Sequence, residues 1–501
     1  MKRILCIFLV LLLLFGTLGL LSCKKNENQV EDSSDDTTDV SDSDVSDSDV
    51  SDMIDKKKYY QDTFGDLNMN GKEVWVYDLN TSPDIHINYY DDLKGDKMNV
   101  ALYARDMLFE EVYGIKMEYF QSTQGSTVVS NAVLSGTYLA DIIYGRASGG
   151  RLMTLAQQGC LADLRSNTAV DLNQPWWGNF MTEALTVNNR CYFTSGDILP
   201  TFYQSIGCFF YNMDLGRTYG IDKDALCEKA LNGDFTWEYM TQLVKGTDTN
   251  LDSNLAMTAD KDQFGLITYN VYNHTNMWAI GAGLKLAEQD ASGKWIVDFE
   301  SSSVVAKLSE LARYITYTDM GGNEVDSIMQ TTFKSGRAIF AEHFTESAFS
   351  TLRDMENDYL MLPVPKLNDD QDSYRCMVNS YVNCFVGILS NCADTEITGA
   401  ILESQAHYGY NYIRPIAYEE FLKLALSRDI KAAALIDMIF DTAYIDYGVI
   451  EKFGVSSEYK EGASTILYQY LKEGKPLASA FESNKGAING DLMNALKPFT
   501  K

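Results

Sequence analysis

The stretch Tyr269-Asn270-Val271-Tyr272-Asn273-His274-Thr275-Asn276-Met277-Trp278 mixes ring side chains with amides more densely than any other part of the chain. Aromatic faces cover the apolar C–H side of a polar ring such as a pyranose, and planar polar groups bond a rim of hydroxyls. The chain has 31 Tyr, 23 Phe and 6 Trp to draw on. Chemistry that makes or breaks bonds is poorly provided for. There are only four His, and GxSxG, HExxH and GxxxxGK[ST] are all missing from the sequence. With 70 Asp and Glu present, some pair of carboxylates could always be drawn as a glycosidase dyad, so such a pair carries no information. Asp248, Asn250 and Asp252 stand at positions one, three and five of a calcium-type loop. Ser253 then replaces the glycine of the sharp turn, and Ala259 stands where a bidentate Glu is needed, so this is a weak metal candidate and no cofactor is expected.

The elements that would hold these residues begin after a long leader. Lys2 and Arg3 precede an almost wholly apolar run, Ile4 to Leu21, and Ser22-Cys23-Lys24-Lys25 follow. A small residue before a Cys at the end of an apolar core resembles a bacterial lipobox, with Leu21 as its one departure. The resemblance implies that residues 1–22 are a signal peptide, that Cys23 is lipidated, and that the protein sits on the extracellular face of the cytoplasmic membrane. Residues 24–52 carry 11 acidic residues against two Lys, with a VSDSD repeat. Such a segment buries too little apolar surface to fold. Residues 23–58 are therefore expected to be a lipid-bearing acidic tether, its 29-residue acidic part reaching about 30 Å. The formal net charge of −29 argues against nucleic acid and anionic lipid surfaces as partners. Of nine Cys, seven remain in the body, none spaced as CxxC, which indicates neither a zinc site nor a full disulfide framework.

The body, near 450 residues, is longer than one core usually supports. Glu73–Tyr77 is a short β run, and an apolar stripe from Val100 to Val112 stops at Gly114. Ile115–Tyr119 alternates, Val128–Leu134 is helical up to Gly136, and Leu139–Tyr144 reads as a buried strand. Alternating strand and helix predicts a parallel sheet covered on both faces, with ligands beyond the carboxyl ends of the strands. The turns after Tyr77 and Tyr144 then share one rim, and Asp78 and Asn80 become candidate contacts.

The run VLSGTYLADIIYGRASGGRLMTLAQQGCLADL, Val133 to Leu164, resembles the matching stretch of family 1 extracellular solute-binding proteins, the group that contains maltose-binding protein. Pro175-Trp176-Trp177, the YNMDL of Tyr211 to Leu215, Phe235-Thr236-Trp237 and Gln263-Phe264-Gly265 follow in family order. So do Phe333 to Ala338 and Leu362-Pro363-Val364-Pro365. The resemblance covers about Gly71 to Tyr447 and rests on the order of weak motifs. It implies an α/β, two-lobed periplasmic-binding-protein-like fold (type II), with an interlobe cleft and several chain crossings. Crossings are expected near Ser205–Phe210, Tyr381–Ile388 and Tyr412–Ala417, the last because a residue before Pro resists helical continuation. The first lobe would be residues 71–204 plus 387–411, the second 205–386 plus 412–501. The implied function is non-enzymatic: monomeric capture of a carbohydrate, an oligosaccharide above all, for the transmembrane permease subunits of an ABC importer. A lipid-anchored glycan-active enzyme and an adhesin-type lipoprotein are the alternatives. The resemblance adds Tyr144, Arg146 and Ser148 in the loop after the D-I-I strand, and the second-lobe wall with Tyr269, Asn270, Tyr272 and Trp278. His343 and, beside a crossing, Tyr381 complete the candidates.

Overall fold

The structure, a computed structural model, describes residues 69–79, 97–121, 125–146, 151–253, 257–269, 272–315, 329–422, 430–450 and 462–500. Cys23, the tether, Asn80, Ser148 and Asn270 lie outside them, as does the side chain of Tyr272. The strands are β1 (Lys72–Asp78), β2 (Ile115–Gln121), β3 (Ile142–Arg146), β4 (Gly207–Asn212), β5 (Phe264–Ile267) and β6 (Glu288–Gln289). They continue as β7 (Trp295–Ile296), β8 (Ala338–Phe344), β9 (Tyr359–Leu362), β10 (Cys376–Met377), β11 (Cys384–Ile388) and β12 (Ala443–Tyr444).

Two four-stranded sheets organise the body, one ordered β11-β3-β1-β2 and the other β5-β8-β4-β9. In the first, β1 runs parallel to β2 and β3, while β11 closes the edge antiparallel to β3. The alternation of strand and helix dictates that parallel core, because each crossover must lay its helix on a face of the sheet. The helix Lys97–Tyr113 ends at Gly114, whose φ of 61° only glycine adopts freely, and β2 starts on the next residue. In the second sheet β5 and β8 are parallel, and β4 is antiparallel to both β8 and β9. All seven residues of β8 are buried, the signature of a strand covered on both faces.

The chain passes between the sheets in two different ways. Ser205–Ile206 and Val378–Asn379 cross side by side. Ile206 pairs antiparallel with Val378, and the Asn379 amide donates to the Ser205 carbonyl at 2.7 Å. The other passage is helical: an α-helix over Thr395–Tyr408 continues through a π-turn at Gly409–Ile413 into a further α-helix at Arg414–Leu422. Here the expectation of a break at Pro415 is corrected. The wider π-turn just before it absorbs the proline's missing donor and its ring, so the helix runs on. At Gly409 a Cβ would stand 1.8 Å from the Asp197 carbonyl oxygen, which is why this tight approach carries glycine.

Among the described residues no helix is long and apolar enough to cross a membrane. Cys160, Cys191, Cys208, Cys227, Cys376 and Cys384 are buried thiols and Cys392 is half-buried. Burial pushes Cys376 up to about 11 and Cys191 up to about 12, so these thiols stay protonated and act as small apolar side chains.

Candidate functional site

In both sheets the carboxyl ends of the mutually parallel strands converge on the paired crossing strands. In the first sheet Asp78, the last residue of β1, lies opposite Tyr144, and the Leu79 amide donates to the Tyr144 carbonyl at 2.8 Å. Arg146, the last residue of β3, pairs with Cys384, the first residue of β11 after the crossing. In the second sheet Phe344, the last residue of β8, pairs with Gly207, the first residue of β4 after the other crossing. Thr345 ties this end to the crossing itself: its amide donates to the Ile206 carbonyl at 2.8 Å, and its Oγ1 accepts from the Ile206 amide at 3.1 Å. The two rims therefore flank one pair of crossing strands, at the carboxyl ends where open α/β sheets take ligands. On them Arg146 and Glu346 are half-buried, and Tyr381, in the turn after Asn379, is 36% exposed. These three can meet a solute.

The other candidates sit deeper. Tyr144 is fully buried, with Arg105, Asp106 and Asp78 as its charged neighbours. Arg105 donates through Nε to Asp106 Oδ1 at 3.0 Å, through Nη2 to the Tyr119 hydroxyl at 3.1 Å, and through Nη1 to the Ile198 carbonyl at 3.3 Å. Burial pushes the Asp106 carboxyl up and the Arg105 guanidinium opposes it. Neither residue was drawn from the sequence, because the helix buries Ala101, Leu102, Arg105, Asp106, Phe109 and Tyr113, whereas Val100 and Met107 of the stripe read from the sequence are exposed.

On the second rim Tyr269 is buried, its hydroxyl accepting from the Met329 amide at 3.0 Å and its own amide donating to Glu342 Oε1 at 2.9 Å. The same carboxylate reaches His274 Nδ1 through Oε2 at 2.8 Å. His343 is buried too, with Nδ1 2.7 Å from the Ser347 hydroxyl. Burial, aided by the neighbouring His274, drives its pKa down to about 3, so the ring is neutral throughout the physiological range. Tyr144, Tyr269 and His343 thus build the walls from behind, and a solute reaches them only if the packing moves.

Trp278 requires a correction. It is 0% exposed, its ring edge-on to Trp237 with centroids 6.3 Å apart and Lys472 4.6 Å above its face. The helix Tyr272–Gly281 that carries it packs against the helix Ala463–Glu473, and Trp278 fills that contact. Its aromatic-and-amide neighbourhood suggested a stacking platform, but its position on the helix turns it inward. Trp176, like Trp75 and Trp295, is only half-buried, and it lies 4.9 Å from the His407 ring and 6.3 Å from Tyr410 in the π-turn. Glu403 fixes it, accepting from the indoles of Trp176 at 2.9 Å and Trp177 at 2.8 Å and from the Asp171 amide at 3.2 Å. Burial pushes this carboxyl up to about 7 against those donors. Its sequence signal was the repeated tryptophan of Pro175-Trp176-Trp177.

In the calcium-type loop the oxygens are spent on the chain itself. Asp248 Oδ1 accepts from the Gly265 amide at 2.8 Å, Asn250 Oδ1 from the Ser253 amide at 2.7 Å, and Asp252 lies 3.9 Å from Lys261. Ser253 takes the left-handed φ of 62° that a glycine would otherwise supply. Among the described residues no cluster of three or more His, Cys, Asp or Glu side chains is suited to a metal ion.

Solved structures with a similar fold include the following two. The cyclic α-maltosyl-1,6-maltose binding protein of Arthrobacter globiformis superposes with a TM-score of 0.54 at 13% identity, covering 84% of this chain and 99% of its own. UspC of M. tuberculosis gives a TM-score of 0.53 at 12% identity, covering 83% and 99%. This is the two-lobed periplasmic-binding-protein fold. No family model matches the sequence, and no curated protein matches it. In such a two-lobed fold the chain crosses between the lobes at paired strands, here Ser205–Ile206 and Val378–Asn379.

Proposed function

We propose that this protein is the extracellular solute-binding component of an ABC importer, capturing a carbohydrate, an oligosaccharide above all, between its two lobes. The observation that carries the reading is the convergence of both sets of strand ends on one pair of hydrogen-bonded crossing strands. That geometry brings ligand contacts from both lobes together only when the lobes close, and differential affinity for the closed state is what drives closure. The neighbour from Arthrobacter globiformis is named as a cyclic α-maltosyl-1,6-maltose binding protein. Arg146 and Glu346, one on each lip, supply charged hydrogen-bonding groups, and Tyr381 supplies a ring beside the hinge. Lipid on Cys23 and the acidic tether hold the body near the membrane, where the permease subunits receive the closed form.

A thermal-shift screen over neutral oligosaccharides, followed by calorimetry on each hit, tests this directly. At least one oligosaccharide raises the melting temperature, and above its Kd the shift grows with the logarithm of its concentration, as ligand linkage requires. Arg146→Ala weakens that binding by about tenfold, equivalent to ~1.4 kcal/mol. A panel in which no sugar shifts the melt overturns the reading. Radiolabelled palmitate incorporated by the native chain and lost in Cys23→Ser tests the anchor.

A further inference from the structure

Besides the crossings, the last turn of the chain joins the two sheet bodies through side chains. The helix Leu477–Ala495 lies on the second-sheet body: the Phe481 ring is 5.2 Å from Phe299, and Asn489 Oδ1 accepts from the Val297 amide at 2.8 Å. The 3-10 turn Lys497–Thr500 then reaches the other body. Asn188 donates through Nδ2 to the Phe499 carbonyl at 3.0 Å, and the Tyr192 hydroxyl donates to the Pro498 carbonyl at 3.1 Å. Asn188 sits in the tight hairpin Val187–Arg190, which runs on into Thr194, paired with Val386 of β11 in the first sheet. The Phe499 ring, 1% exposed, lies between an aromatic from each body. Tyr192 is 5.0 Å away, and Tyr447 is 5.9 Å away. Tyr447 follows β12, and the neighbouring Asp446 accepts from the Leu286 amide at 3.1 Å, which ties it to the second-sheet side. Its hydroxyl also donates across to the Leu185 carbonyl at 2.9 Å.

We propose that the C-terminal turn Lys497–Thr500 is a pivot, seated in a socket made by Asn188, Tyr192 and Tyr447, that restricts the two lobes to a single rotation. Two bodies joined only at a short hinge can bend and also twist about it. A second attachment, separate from the first, removes the twist: what remains is rotation about the line through both. Pulling a fully buried phenylalanine out of its aromatic neighbours while breaking two hydrogen bonds is costly relative to thermal energy. The lobes therefore move with the turn seated, and the ring contacts, which tolerate changes of angle, act as the bearing. This device follows from the two-lobed fold and holds whatever the ligand is.

The test is a pulsed dipolar distance measurement on the full chain. Spin labels are attached through azidophenylalanine at Leu134 and Leu251, both exposed and one in each body, so that the native thiols are untouched. With the turn intact the distance distribution is narrow. Deleting residues 497–501 broadens it about twofold, the mark of added twisting freedom at a hinge, and Phe499→Ala broadens it by a similar factor. A combined Asn188→Gly and Tyr192→Phe variant keeps the ring packing, loses both hydrogen bonds to the turn, and gives a smaller broadening. Circular dichroism confirms that each variant is folded. If the deletion does not fold, the two substituted variants decide. An unchanged width in the folded variants overturns the pivot, and because no ligand is added the outcome is independent of what the cleft binds.

Discussion

The two passages between the lobes are built from different materials. The strand crossing at Ser205–Ile206 and Val378–Asn379 is held mainly by backbone groups, with the Thr345 hydroxyl joining its ladder. The helical crossing at Gly409–Arg414 is held by side chains. The Arg414 guanidinium lies 3.6 Å from Asp197 Oδ2 and 3.5 Å from Asp441 Oδ1. It also covers the rings of Tyr410, Phe440 and Tyr418 at 5.1, 5.3 and 5.6 Å. Backbone hydrogen bonds can pivot and re-form with almost any sequence, whereas an ion pair under three rings has one good geometry.

The sharpest break in that comparison is Arg414→Ala. It strands the Asp197 carboxyl, which burial pushes up to about 6 while Arg414 pulls it down, and removing one partner of such a pair costs about 3–5 kcal/mol. Chemical denaturation measures the loss. Gly409→Ala comes next: the added methyl meets the Asp197 carbonyl, and overpacking of this kind costs up to about 3 kcal/mol, read as a lower denaturation midpoint at unchanged slope. At the strand crossing Thr345→Val removes the acceptor for the Ile206 amide and leaves the ladder otherwise whole, so its cost is about 1 kcal/mol. If Thr345→Val costs as much as Arg414→Ala, the contrast between the crossings is wrong. The smallest effect is a slope. The Glu403 carboxyl is raised from 4.5 to about 7 in the fold, so its contribution is fully present below about pH 4.5 and is lost as pH rises through about 7. Glu403→Gln flattens that decline, and melting temperatures taken between about pH 5 and 8 show whether it does.

Much of the fold was legible because the first lobe obeys simple periodicities. Asp78 and Tyr144 meet at one rim because two parallel strands must end together. The site was less legible, for a reason visible in Trp278. Composition placed Trp278 among ring-rich neighbours, but which way a helical side chain turns depends on the partner helix, here Ala463–Glu473, almost 200 residues away. Arg105 and Asp106 were hidden in the same way, since a stripe of apolar positions conceals a charged pair whose partners, Tyr119 and Ile198, come from later in the chain. At Pro415 a sound local rule met a rarer device, the π-turn, that one proline does not announce.

That turn also sets the phase of everything downstream. Gly409–Ile413 holds one residue more than an α-helical path would use, which amounts to a single-residue insertion tolerated by the helix. Winding all five residues as regular α-helix instead would rotate the segment from Arg414 onward by about 100°. The guanidinium would then swing off its two carboxylates, and Tyr418 would leave the Phe440 ring it now stacks on at 5.5 Å. The length of the chain through these five residues, as much as their identity, keeps the two halves in step.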